Sequence, residues 1–83
     1  MTTVDRLKGI LRDALNLESR ADALTASSGL IGAIPEFDSM AVVTVLTMIE
    51  DEFGISIADD EVSGDIFATL GDLATFVDSK AEG

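Results

Sequence analysis

The stretch Asp38-Ser39-Met40-Ala41-Val42-Val43-Thr44-Val45-Leu46-Thr47-Met48-Ile49-Glu50-Asp51-Glu52-Phe53-Gly54 decides how this chain folds. On propensity alone the β-branched run Val42 to Val45 suggests a strand. The rest of the stretch argues for a helix. Asp38 and Ser39 suit a helix N-terminus. Val42, Val45, Leu46, Ile49 and Phe53 recur at the three-to-four spacing of one helix face. The stretch is too long for an ordinary strand, and Gly54 stands where a left-handed cap is favoured. The reading is a helix that opens at Asp38 and Ser39 and runs to Phe53.

A second helix is predicted upstream, from Val4 to Leu15. Val4, Leu7, Ile10, Leu11, Ala14 and Leu15 form its apolar stripe, Thr3 caps it and Asp5 lies in its first turn. Arg6, Lys8, Arg12 and Asp13 are left outside. Between Asn16 and Phe37 the periodicity fades, and Ser27, Ser28, Gly29, Gly32 and Pro35 punctuate the chain. A structureless connection of that length is unusual in a compact fold. Leu24, Leu30, Ile31, Ile34 and Phe37 are therefore expected to pack onto the core, with room for a short helical turn. Downstream, Ile55 and Ile57 read as anchors. Asp59-Asp60-Glu61 open a short helix ending near Gly64. A last helix follows Thr69, capped by Thr69 with Asp72, burying Leu70, Leu73, Ala74, Phe76 and Val77 and fraying over Ala81 to Gly83. The fold class is all-α: a small four-helix bundle, three longer helices and one short, with a long first loop, in a single domain over 1–83.

Composition narrows the function. There is no Cys and no His among the 83 residues, which removes the thiol nucleophile, the commonest general base and the commonest metal ligand. The longest apolar run, Met40 to Ile49, is far short of the roughly 20 residues a membrane span needs. No secretory leader is expected, because Met1 to Arg12 is charged and lacks an apolar core. The net charge of −11 is uneven. Arg6, Lys8, Arg12 and Arg20 nearly balance the acids of the first twenty residues, and from Ala21 onward Lys80 is the single base among many acids. Such a surface repels nucleic acid and anionic lipid and is steered toward partners with basic patches. Aqueous, cytoplasmic, monomeric behaviour is the expectation.

Asp38-Ser39-Met40 is the candidate site. A serine at the start of a helix holds its hydroxyl beside unpaired backbone N–H groups, and a phosphodiester placed there is favoured by the helix N-terminus. Asp38 can cap the helix. No base is at hand to activate Ser39, so the position suits attachment better than catalysis. By itself the pattern is far more often that of a plain cap, and its force comes from its context near mid-chain, after a long loop, at the head of an amphipathic helix. The other serines, such as Ser19, Ser27, Ser28, Ser56, Ser63 and Ser79, lack the helix-start context. Asp59-Asp60-Glu61 lacks the spacing of a calcium loop, and no metal site is expected.

With these residues in place, the chain resembles the acyl carrier protein family from its first helix to Val77. The matching positions are Asp38-Ser39-Met40, Val43, Glu50-Asp51-Glu52-Phe53-Gly54-Ile55, Ile57, Asp59-Asp60-Glu61 and Thr69-Leu70-Gly71-Asp72-Leu73. The resemblance implies that Ser39 receives 4′-phosphopantetheine from a Mg²⁺-dependent phosphopantetheinyl transferase that takes it from CoA, with Asp38 the acid beside it. The arm's thiol then holds an acyl group as a thioester, and the chain is a carrier rather than an enzyme. Acyl ligases or acyltransferases with basic patches are the implied partners. Leu46, Ile49 and Phe53 are candidates to part around a bound acyl chain. The chain departs from the family pattern at Glu36, where Gly is common, and at Ala41 and Thr44, where carriers of fatty acid synthesis usually have acids. These departures suit a specialised stand-alone carrier, and Pro35 to Met40 is similar to carriers of exosortase-linked exopolysaccharide systems.

Met40, Val43 and Thr47 fall on one stripe beside the core face, with Glu50 and Asp51 further along the same helix. They read as a partner-binding surface; Met40 and Val43 read equally as edge-of-core residues, and each of the acids reads more readily as part of a solvated helix end. The rival from another class is an acidic helical adaptor without a prosthetic group, in which Ser39 is only a cap.

Overall fold

The computed structural model describes residues 2–82. Helix α1 is Thr3–Leu15, α2 is Ser39–Phe53 and α3 is Leu70–Glu82. Three 3₁₀ turns, Glu18–Ala23, Asp59–Glu61 and Gly64–Phe67, lie in the connections.

The α1 cap is Thr2, not Thr3: its side chain accepts from the Asp5 N–H, and the Asp5 carboxylate reaches back to the Thr2 N–H. This reciprocal box satisfies two orphan donors together. Thr3, displaced from that role, donates its hydroxyl to Asp78 on α3. Asn16 ends α1 in the left-handed region at φ 55°, a conformation Asn tolerates better than most residues. The chain then forms the 3₁₀ turn Glu18–Ala23, which seats Leu17 and Ala21 in the core.

The core is one cluster. Leu7 and Leu11 of α1, Val45 and Ile49 of α2, and Leu70, Leu73 and Val77 of α3 are fully enclosed, with Leu30 and Phe67 from the connections. Helix α1 is the element against which both α2 and α3 lie. Leu30 and Phe37 are buried as expected, and Leu24 and Ile34 pack at the core edge. Ile31 instead stands 49% exposed, because its backbone is drawn alongside the start of α3. The N–H groups of Leu30 and Ile31 donate to Ala68 and Phe67, and those of Leu70 and Gly71 donate to Ser28 and Ala26. Gly71 is required there: a Cβ would sit 2.9 Å from the Ala26 carbonyl oxygen.

The predicted short helix from Asp59 to Gly64 is two 3₁₀ turns, broken at Val62 and Ser63, with Gly64 starting the second. Helix α3 begins as expected, with Thr69 accepting from the Asp72 N–H at 3.1 Å. It stays helical through Ala81 and Glu82 where fraying was expected, and Gly83 lies outside the described residues.

Candidate functional site

The site is the entrance of α2. Phe37 is buried with its ring 5.5 Å from that of Phe67, which fixes the chain just before the helix. Pro35 and Glu36 form the preceding turn, closed by the Phe37 N–H on the Ile34 carbonyl. Asp38 is the N-cap, and its Oδ1 accepts from the Ala41 N–H at 2.9 Å. Ser39 is therefore the first residue of α2, and it is exposed. Among the described residues its hydroxyl has no protein partner, nor have the N–H groups of Ser39 and Met40. An accessible nucleophilic oxygen thus lies beside two free donors at the positive end of a helix dipole. That arrangement fits a covalently held phosphodiester.

Glu36 faces Arg20 of the first 3₁₀ turn in an ion pair. The hydrogen bond from Arg20 holds the Glu36 carboxyl below the usual carboxylate range. Arg20 meets Oε2, while Oε1 is shut from water without a hydrogen-bond partner. Neither Arg20 nor its pairing was singled out from the sequence. A base sixteen residues before an acid, across a loop, carries no periodic signal.

The stripe down α2 is open. Met40 is 76% exposed and Val43 60% exposed, which excludes the edge-of-core reading for both. Thr47 is exposed as well, and the hydroxyls of Thr44 and Thr47 donate to the carbonyls of Met40 and Val43 on their own helix. The stripe therefore presents an apolar surface with little free hydrogen-bonding capacity. Glu50 is placed differently from Met40 and Val43: it is half-buried, and its Oε2 accepts from the Ile57 N–H at 2.8 Å. Asp51 is exposed at the far end of α2, about 18 Å from Ser39 along the axis. It lines a cleft between α1 and α2 with Asp5, Asp13 and Glu52. The structure thus groups Ser39, Asp38, Met40 and Val43 at one end, with Thr47 midway, and sets Glu50 and Asp51 apart. Among the described residues no group of three metal-ligating side chains converges.

Leu46 and Phe53, expected to part around a cargo chain, are half-buried at the core edge, and Ile49 is fully enclosed.

Three comparisons bear on this geometry. Residues 5–77 match a family model described as a phosphopantetheine attachment site. An acyl carrier protein of Beutenbergia cavernae is 38% identical over 42 residues, covering 51% of this chain and 49% of that protein. The match thus spans about half the length of that relative. The solution structure of a holo acyl carrier protein from Nitrosomonas europaea superposes with a TM-score of 0.92 at 51% identity, covering 100% of both chains.

Proposed function

This chain belongs to the acyl carrier protein family, and on that premise we propose that Ser39 bears a 4′-phosphopantetheine arm on which the protein carries an acyl group between enzymes. The observation that carries the reading is the Ser39 hydroxyl, exposed and unpartnered at the first position of α2 beside the free N–H groups of Ser39 and Met40. When bound, the arm supplies a terminal thiol for a thioester. The chain's own part is to hold the attachment oxygen at a helix entrance and to favour the phosphodiester charge there. Asp38 fixes the helix start and keeps its second carboxylate oxygen available toward the modifying enzyme.

The partners on this reading are a phosphopantetheinyl transferase, then acyl ligases or acyltransferases with basic surfaces. Met40, Val43 and Thr47 form the apolar contact nearest the arm. Asp51 adds charge farther off. Glu50 contributes chiefly by holding the loop at Ile57. The strong negative charge gives rapid, salt-sensitive encounters suited to a shuttle that leaves each partner. Among the described residues no helix is long and apolar enough to cross a membrane. The proposed carrier is a single domain over 1–83 that works as a monomer in the cytoplasm.

Incubation with a phosphopantetheinyl transferase, CoA and Mg²⁺ is expected to add one arm to the intact mass, and Ser39→Ala to abolish the addition. An unchanged wild-type mass with several such transferases overturns the proposal. The exposure of Met40 and Val43 also suits a helical adaptor. On that reading Ser39→Ala leaves partner binding intact and the wild type gains no mass.

A further inference from the structure

The turn before Ser39 is held from below by apolar side chains and from the side by one ion pair. Leu30 and Phe37 are buried at its two ends. Beyond Ile31, whose N–H donates to Phe67, the backbone closes on itself: Ala33 and Ile34 donate to Leu30, Phe37 donates to Ile34, and Asp38 donates to Glu36. Among the described residues, the pair Arg20–Glu36 is the single polar side-chain tie from residues 31–37 to another element. Arg20 lies within the 3₁₀ turn Glu18–Ala23, which is itself fixed by the buried Leu17 and Ala21. Its side chain lies along a small apolar cleft with Leu17, Leu24, Ile34 and Pro35. Arg20 thus covers apolar surface with its stem and reaches Glu36 with its head.

The charges near the entrance give this tie a second effect. From Ser39 to Ile49 the sequence has no ionisable side chain. The local anions are Glu36 and Asp38, and Arg20 is the cation in contact with that turn. One oxygen of Glu36 is already closed off without a partner. Without Arg20, the carboxylate has to turn out to water, and the turn ahead of Ser39 moves with it.

We infer that Arg20 is a positioning residue for the modification of Ser39: by pairing with Glu36 it fixes the Ile34–Phe37 turn and neutralises the negative charge met by the phosphate-bearing donor. This rests on the proposed role of Ser39. Arg20 touches no reacting atom, so its loss acts on recognition of the carrier rather than on the chemical step.

The test is steady-state modification of the wild type, Arg20→Gln and the charge-swapped pair Arg20→Glu/Glu36→Arg, with the folded fraction of each checked by circular dichroism. Arg20→Gln is expected to raise the KM for the carrier about fivefold, which is about 1 kcal/mol. Its kcat should stay within about twofold, and the swapped pair should recover most of the loss. A residue that only stabilises the fold does not split KM from kcat in a fully folded sample. An unchanged KM in Arg20→Gln, with the wild type modified normally, overturns the inference and leaves the carrier reading standing. No modification of the wild type overturns the carrier reading. Amide hydrogen exchange then still tests the tether: faster exchange at Ala33 to Ala41 in Arg20→Gln, with the α3 amides unchanged, supports it, and no change overturns it.

Discussion

The two ends of α2 are held by different means. At the closing end, Gly54 takes a left-handed conformation and donates to Glu50, Ile55 donates to the same carbonyl, and Glu50 receives Ile57. Arg6 reaches over from α1, pairs with the Glu52 carboxylate, donates to the Glu52 carbonyl at 2.9 Å, and stacks its guanidinium 4.1 Å from the centre of the Phe53 ring. A cation there also suits the negative pole of the helix. The opening end has the Asp38 cap, the Phe37 anchor and a bare exposed stripe. One end serves as the fixed mount and the other as the working face. On the role proposed for Ser39, the same helix meets opposite demands, permanence where it joins the bundle and accessibility where a modifying enzyme approaches.

The contrast breaks most easily at Ile49, fully buried toward the mount. Ile49→Ala is expected to cost about 2–5 kcal/mol, read from the urea midpoint; a cost under about 1 kcal/mol would remove the distinction. Arg6→Ala comes next, at about 1–2 kcal/mol, since one change removes an ion pair, a charge-assisted hydrogen bond to a carbonyl and a cation–π contact. Asp38→Ala probes the opening end and should cost about 1 kcal/mol, with Asp38→Asn retaining most of the stability. Acid acts on two ion pairs, Arg20 with Glu36 ahead of α2 and Lys80 of α3 with Glu61 in the connection after α2. The hydrogen bonds from Lys80 and Arg20 hold Glu61 and Glu36 below the ordinary carboxylate range. Their folded-state values lie below their unfolded ones, so their contribution is complete above the usual carboxylate range and is lost as pH falls through the depressed folded values. Melting temperature measured against pH should fall on that limb, and Lys80→Gln should flatten it. The smallest effect on stability is expected at Met40: Met40→Ser should stay within about 0.5 kcal/mol while weakening docking of the transferase, measured as a raised KM for the carrier.

What the sequence disclosed follows the same division. Helix α2 was legible from Asp38 to Phe53 because its signals are local: a cap, a period and a terminal glycine. The placing of Ser39 at the exposed helix entrance was legible for the same reason. Arg6 was read as facing solvent, yet it closes on α2, because its partner lies 46 residues away. A short helical turn was expected somewhere between Asn16 and Phe37, but its place at Glu18–Ala23 and the burial of Leu17 and Ala21 left no readable trace, since a 3₁₀ segment this short repeats no pattern. Ile31 was expected inside on hydrophobicity alone. Its position is set by main-chain bonds to Phe67, which side-chain character does not encode.

Those main-chain bonds have a further effect. The segment from Ala26 to Ile31 is sewn to the one from Phe67 to Gly71, linking the first connection to the last helix. Releasing either therefore disturbs the other, and the first connection is expected to melt together with the start of α3 rather than ahead of it. Calorimetric and van't Hoff enthalpies should coincide, so that the scaffold under Ser39 behaves as one thermodynamic unit.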